Sequence, residues 1–509
     1  MNTPPEPLAD LRETLADLVA AEDVLLFANA AITATGQREF RSGALDQQLS
    51  LDFLHTYVRV NYRRVYAASL ALDINDHNAA RIVLGLLETA GEASADERRT
   101  EGRLIAARLA LLPPQRVYRL FGEVRRAGIN NRRTRAIMRN WLAARPDLGH
   151  DAVKYRSGVK TAARHIHLRC AEGAGAEVGA FLFRPGKLPR YEHPLLDAWR
   201  RAHYEQGAVA ELPFTVAEGF AARHGMKREA FLKRAAPRMT RLERLRTLEQ
   251  RAVGDRRPDV DLTVMPLTRL ALYVLALPFE ERVARRTELT GALRTAARRA
   301  AGRHAGSWGR VHAVLDDSFS SSGSGQKRRR PLAVALACHH LLEVLAAPGA
   351  YRGLWTSGRG DALLVRPWGP TPLGMRVLDA LEPGPGGVVP DRLVIVSDGW
   401  DNAPAGLAGD VLRVWRTRLD PARRTAVVHV NPVYDGGGFD VRRLAAGVPT
   451  AGIRDAEDLP ALVEIARFAE GRTGAAELHA YLGRRVALFL GEGHRQEEQE
   501  KQEEEEAVS

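Results

Sequence analysis

Cysteine is nearly absent from this chain, with two residues in 509, Cys170 and Cys338. Two thiols cannot build a disulfide framework, a four-cysteine zinc site or an array of small secreted modules. Long apolar runs are missing as well. The greasiest stretch, Leu267 to Phe279, is 13 residues long and contains Arg269, whereas a membrane-spanning helix needs about 20 apolar residues. The opening Met1-Asn2-Thr3-Pro4-Pro5-Glu6 lacks the basic and apolar regions of a signal peptide. There is no Walker A loop, no Gly-x-Ser-x-Gly elbow and no His-Glu-x-x-His. These absences set the expectation of a soluble, reduced, cytoplasmic protein that is not an enzyme.

What is present points to several folded units. Apolar residues make up 45% and charged residues 27%, enough to bury sizeable cores. At about 150 residues per domain, the length implies two to four domains. The net charge of +12 is unevenly spread. Residues 1–100 hold 9 Lys+Arg against 15 Asp+Glu, residues 101–300 hold 40 against 20, and residues 491–509 hold 2 against 8. A central block with an excess of 20 positive charges has the electrostatic footprint of a polyanion binder. Lysine supplies only 7 of the 74 basic residues. G+C-rich coding also produces that bias, so the distribution of the charge carries more weight than its total.

Periodicity divides the chain. Leu8, Leu11, Leu15 and Leu18 recur at helical spacing, and similar stripes run through 50–72, 78–92, 102–126, 131–143, 158–170 and 228–252. Successive helices with short connections predict stacked HEAT-like pairs over residues 1–252. A linker at Gly254–Asp259 and two helices near 263–278 and 280–302 fill 253–305. From Val311 the texture changes. Aliphatic runs at Val311–Leu315, Ala362–Val365, Leu393–Val396 and Ala426–Val430 alternate with helical stretches at 331–346, 372–381, 404–418 and 457–469. That alternation predicts a doubly wound parallel sheet over 306–490. A Glu/Gln-rich acidic tail occupies 491–509.

Three pieces of the second half carry metal chemistry. Asp316-Asp317-Ser318-Phe319-Ser320 reads Asp-x-Ser-x-Ser at the end of a strand, Gly369-Pro370-Thr371-Pro372 is a loop before a helix, and Ser397-Asp398-Gly399 closes another strand. In an open α/β sheet all three lie outside the carboxyl ends of strands, where ligands bind. Two carboxylates and three hydroxyls form an all-oxygen set suited to Mg2+ or Mn2+, with open positions for water or a partner carboxylate.

In order and in context, these pieces resemble the von Willebrand factor A domain and its metal-ion-dependent adhesion site. The resemblance implies that Asp316, Ser318, Ser320, Thr371 and Asp398 hold the metal. The loop then continues through Ser321–Ser324 to Lys327-Arg328-Arg329-Arg330, longer and more basic than that resemblance leads one to expect.

Two helices concentrate the positive charge. In Asn131–Leu142, Ile137, Met138, Trp141 and Leu142 form an apolar stripe, and Arg132, Arg135 and Arg139 fall on the other side. In Val159–Cys170 the stripe is Val159, Ala163, Ile166 and Cys170, with Lys160, Arg164 and His167 on one flank. His165 reads as a core or capped histidine. Guanidinium and imidazole groups pair with phosphates and stack on unpaired bases, which suits single-stranded or structured RNA.

The order of these pieces has a second resemblance. An arginine-bearing helix ending in Trp141-Leu142, then Ala152-Val153-Lys154-Tyr155-Arg156, then a helix ending in Arg164-His165-Ile166-His167-Leu168 resembles the TROVE module of Ro ribonucleoproteins. That module is a ring of HEAT-like helices ahead of a von Willebrand A domain. In that family the ring binds small noncoding Y-type RNAs on its outer surface and takes single-stranded 3′ ends of misfolded RNAs through its hole. The resemblance implies RNA contacts from Lys154, Arg156, Lys160, Arg164 and His167, beside the arginines at 132, 135 and 139. The expected function is noncatalytic RNA binding in RNA quality control or processing. The alternative is a metal-dependent adaptor that meets a carboxylate on a partner such as a MoxR-type AAA+ ATPase.

Overall fold

A computed structural model describes residues 21–168, 173–185, 188–240, 243–244, 261–383, 388–462 and 475–491. The chain forms two compact units, one from residues 1–79 with 261–509 and one from 80–260. The sequence segmentation put the first 79 residues with the helical half. Residues 21–79 belong instead to the unit of the α/β half. The stripe at 8–18, the linker at 254–259, Cys170 and the residues of the acidic tail beyond Gly491 lie outside the described residues.

The first unit is built on a five-stranded, all-parallel sheet. The chain supplies β1 (Val311–Leu315), β2 (Tyr351–Trp355), β3 (Arg392–Val396), β4 (Ala426–Asn431), a small antiparallel pair of β5 (Tyr434–Asp435) and β6 (Asp440–Val441), and β7 (Thr450–Gly452). The sheet order is β2-β1-β3-β4-β7. All five residues of β1 are buried, as a strand covered on both faces must be. Val314, Leu373, Val377, Leu393, Ile395, Leu412 and Trp415 fill the core on one face.

The run Ala362–Val365 is not a strand. Its residues 362–364 form a single 3-10 turn capped by Asp361. The Leu363 and Val365 carbonyls accept hydrogen bonds from the buried Arg282 guanidinium at 3.2 and 3.1 Å instead of from a sheet neighbour. The edge strand is Tyr351–Trp355, whose polar and glycine positions hid it.

The helix Arg330–Leu345 is apolar almost all round and buries twelve residues, so it needs covering on both sides. β1 lies on one side, and the helices Leu267–Ala276 and Arg286–Ala301 pack on the other. The helix over residues 21–33 sits against β7. Asn29 donates to Asp440 at 2.9 Å and accepts from the Gly452 amide at 2.9 Å. A Cβ at Gly452 would lie 2.7 Å from Thr33 and 3.0 Å from the Asn29 carbonyl, so only glycine admits this helix. The following helix, Ala44–Asn61, docks through Gln47 to the Tyr434 carbonyl and packs Phe53 against Phe439.

The second unit is helical throughout its described residues. The predicted stripe at 102–126 is two helices, Ala95–Leu111 and Pro114–Arg126, because Pro113-Pro114 ends one and starts the next. Ser94 and Glu97 form a capping box at the first of these helices, and Asn131 caps Arg132–Ala143. Trp141 lies edge-on between Tyr118 and Phe121 and donates to the Leu109 carbonyl at 3.0 Å. Gly158 lets the helix Arg156–His165 close on Tyr118, where a Cβ would meet the tyrosine at 2.6 Å. Gly173–Phe183, Pro194–Arg201 and Phe214–Arg223 are helices that periodicity did not single out.

Candidate metal centre and basic helical surface

The sheet order reverses at β1: the chain leaves it for β2 on one side and returns to β3 on the other. Such a switch point opens a crevice at the carboxyl ends of the strands. The three loops singled out in the sequence meet there and are laced together by their backbones. The Asp316 amide bonds to the Val396 carbonyl at 2.9 Å, and the Phe319 amide to the Gly369 carbonyl at 3.0 Å. Thr371 and Asn402 exchange two bonds, of 2.8 and 3.2 Å. Ser397 donates to Asp316 at 3.2 Å. Asp401 accepts from Leu373 and Ala408 at 3.2 and 2.6 Å, tying together the starts of two helices. A Cβ at Gly374 would meet the Ala408 nitrogen at 2.6 Å, so glycine lets these helices approach.

Within this frame Asp316, Ser318, Ser320, Thr371 and Asp398 are all buried, none more than 8% exposed. Asp316 accepts from the Ser318 amide at 2.8 Å, and the Ser318 and Ser320 hydroxyls are 3.2 Å apart. Ser320 hydrogen-bonds Asp398. Burial, followed by the charge of Asp398, pushes the Asp316 carboxyl up from the ordinary range. Burial likewise raises Asp398, partly offset by the hydroxyl of Ser320 and the guanidinium groups of Arg41 and Arg442.

Two adjacent buried carboxylates without an ion pair are costly. A divalent cation would remove that cost, and the residues fit one: hard oxygen donors only, with hydroxyls too weak to saturate it. Among the described residues no group of three or more His, Cys, Asp or Glu side chains is placed to hold a metal ion. A cation here would therefore depend on two carboxylates, hydroxyls and added oxygen ligands.

Sequence reasoning missed the support of this site. Asp317 is fully buried and accepts from Thr356, from Ser357 Oγ and from the Ser357 amide. The Asp316-Asp317 doublet was visible, but Thr356 and Ser357 come from the end of the unrecognised strand β2. The buried His429 bonds the Ser397 carbonyl from behind at 3.1 Å. The basic extension after the serines is not an open charged surface. Lys327 pairs with Glu39, Arg329 donates to the Leu275 carbonyl, and Arg330 reaches Asp455 at 2.5 Å. Arg328 alone of these four is exposed.

In the second unit, Met138, Trp141 and Leu142 are buried as the stripe required, and Ile137 is half-buried. Arg132 and Arg139 are exposed and Arg135 is half-buried. None of the three has an ion-pair partner among the described residues. Arg133 points inward to Glu101 at 3.2 Å. His165 is a core residue bonded to the Ile129 carbonyl at 3.0 Å.

Lys154 lies 3.6 Å from Glu243 and is mostly covered. Arg156 packs on Phe181 and Trp199 and donates to the Phe181 carbonyl at 3.1 Å, so its fork serves the interior. Lys160 and Arg164 lie over Phe183, and His167 is exposed in the left-handed region with φ of 51°. A cavity of 690 Å³ opens between Pro114–Arg126 and Arg156–His165. Arg119, Arg125, Arg126, Lys154, Tyr155 and Thr161 are among its lining residues. The sequence does not single out the first three, because an apolar stripe marks their helix without marking its arginines.

No protein-family model matches this chain, and no curated protein matches it either.

Proposed function

We propose that this is a noncatalytic RNA-binding protein of Ro-like build, with HEAT-like helices in the second unit and a von Willebrand A-type metal site in the first. One observation carries the reading. Residues 80–260 hold 36 Lys+Arg against 20 Asp+Glu, an excess of 16, while the rest of the chain holds 38 against 42, a deficit of 4. The positive charge therefore resides on one compact helical unit and not on the protein at large. Its exposed guanidinium groups at Arg119, Arg125, Arg132, Arg139 and Arg164 have no carboxylate partner among the described residues. Each can pair two of its N–H groups with a phosphate. The half-buried Tyr155 in the cavity wall offers a ring for an unpaired base.

A divalent cation bound at Asp316 and Asp398 would supply a Lewis-acidic centre for an oxygen ligand. The chain's own part there is to hold the carboxylates and hydroxyls in place and keep bulk water off them. RNA would enter quality control or processing as small structured RNA or as single-stranded ends. The test is the 260 to 280 nm absorbance ratio of purified protein before and after ribonuclease, with gel-shift of a single-stranded oligoribonucleotide. An unchanged ratio with no shift would refute it.

The second reading is an adaptor that presents its cation to a carboxylate on a partner such as a MoxR-type ATPase. The two unpaired buried carboxylates at the switch point favour it. It predicts partner capture that is lost with Asp398→Ala and no RNA effect from the arginines.

A further inference from the structure

Beside the carboxylate pair stands a group of residues that the metal reading does not use. Trp400 follows Asp398 by two residues, and its amide bonds the Asp398 carboxylate at 3.1 Å. Two guanidinium groups pack on its ring, Arg442 at 3.8 Å and Arg41 at 4.3 Å from the centroid. Both are exposed, and neither makes a hydrogen bond or ion pair with a described side chain.

Both are also held in place from behind. The segment carrying Arg41 is fastened to the metal loop: Ser324 donates to the Arg38 carbonyl at 2.6 Å, the Arg38 amide to Gln326 at 3.0 Å, Glu39 pairs with Lys327, and Phe40 meets Phe319 edge-on at 5.9 Å. The Arg442 carbonyl accepts from Asn431 at 3.0 Å. It runs so close to Gly399, whose φ is 79°, that a Cβ there would lie 2.7 Å from it. Stacked guanidinium planes keep their N–H edges free for a ligand, and anchored ones lose little freedom on binding it.

We propose that Arg41 and Arg442, stacked on Trp400, form an anion clamp beside the cation, and that the ligand they admit is a phosphate monoester. This rests on the metal reading of the site and not on RNA binding by the other unit. Charge selects the ligand. On the ligand-facing side Asp316, Asp398 and a divalent cation cancel, because Asp317 is turned away to Thr356 and Ser357 and Asp401 to the amides of Leu373 and Ala408, which leaves the two arginines as an excess of about two positive charges there. A phosphate monoester carries about −1.5 to −2 at neutral pH, so it neutralises the site. A carboxylate leaves it positive. Phosphate also presents enough oxygens to meet the cation and both forks at once.

The experiment uses the full chain with Mn2+ as probe. Electron paramagnetic resonance measures Mn2+ binding, and calorimetry measures inorganic phosphate and acetate binding to the Mn2+-loaded protein. The expected result is phosphate bound at least about tenfold more tightly than acetate, a difference of about 1.4 kcal/mol. Arg41→Gln/Arg442→Gln should lose that preference while binding Mn2+ as well as the parent or better, since two repelling charges are gone. Arg41→Lys/Arg442→Lys, which keeps charge without the fork, should fall between.

A 5′-phosphorylated oligoribonucleotide that competes with phosphate where its 5′-hydroxyl counterpart does not would support the clamp and put its ligand on an RNA end. If Mn2+ does not bind, the metal reading and the clamp both fail. If Mn2+ binds but acetate equals phosphate, or the glutamine pair changes nothing, the clamp alone is overturned.

Discussion

Asp398 and Asp316 illustrate how a single side chain can cost stability and still be the point of a site. Their folded-state pKa values are raised, so the folded protein holds these protons more tightly than the unfolded chain. The associated stability is present at low pH and is lost as pH rises through the folded values. Asp398→Asn should therefore leave the metal-free protein at neutral pH at least as stable as the parent. Its melting temperature should no longer rise with Mg2+, where the parent gains about 2.7 kcal/mol at 100 times Kd. Differential scanning fluorimetry with Mg2+ and with a chelator reads both, and an undiminished Mg2+ shift in the variant would refute the site.

His429 works in the opposite direction. Burial depresses it to about 4 from 6.5, so the folded state excludes a proton that the unfolded chain accepts. Its contribution is intact above pH 6.5 and lost as pH falls toward 4, about 1.4 kcal/mol for each pH unit. Urea melts of His429→Gln between pH 4.5 and 7 should show a slope shallower by about that amount. An equal slope would mean that other groups carry the acid sensitivity.

At the scale of elements, the helix Arg132–Ala143 separates two jobs around its circumference. Met138, Trp141 and Leu142 are buried, while Arg132 and Arg139 face water. Replacing Arg132, Arg135 and Arg139 by Gln should weaken RNA binding across sequences and flatten its dependence on salt by roughly 0.7 per lost phosphate contact. Filter binding at several salt concentrations gives that slope. The double variant Lys160→Ala/Arg164→Ala should lower RNA affinity with a stability change below about 1 kcal/mol, because the half-buried Lys160 and the exposed Arg164 form no ion pair among the described residues and such charges contribute little to folding. Unfolding of that variant would reassign both residues to structure.

The docking of helix 21–33 depends on the absence of a side chain. Gly452→Val forces a branched side chain against Thr33 and the Asn29 carbonyl, and overpacking of this kind costs about 1–3 kcal/mol. Limited proteolysis should then cut at residues 34–43 in the variant before it cuts there in the parent.

Over the whole molecule, charge and metal chemistry are segregated. The excess of 16 positive charges belongs to residues 80–260, and the carboxylate pair belongs to the other unit. Asp398→Asn should therefore leave the affinity for a 5′-hydroxyl RNA and its salt slope unchanged, and the triple arginine variant should leave Mn2+ binding unchanged. Loss of both properties in either variant would contradict this segregation.

The sequence by itself determined the local features. Aliphatic runs specified β1, β3 and β4, because strands covered on both faces need apolar side chains at every position. Arginines spaced around Met138 and Trp141 specified an amphipathic helix. Asp-x-Ser-x-Ser, Thr371 and Asp398 stood out because hard oxygen donors at strand ends have a recognisable chemistry.

Only the tertiary structure decided what depends on residues far apart in the chain. β2 was invisible because its edge position tolerates Tyr351, Arg352 and Gly353, which break the aliphatic pattern. Ala362–Val365 has the pattern, but its Leu363 and Val365 carbonyls bond Arg282, 81 and 83 positions away in the chain. The resemblance implies an RNA contact from Arg156, yet Phe181 and Trp199 hold its guanidinium. Arg41 and Arg442 are some 400 residues apart, and only folding stacks both on one tryptophan. Periodicity and motif report a residue's own element, whereas burial, pairing and charge neutralisation are fixed by whichever distant element packs against it.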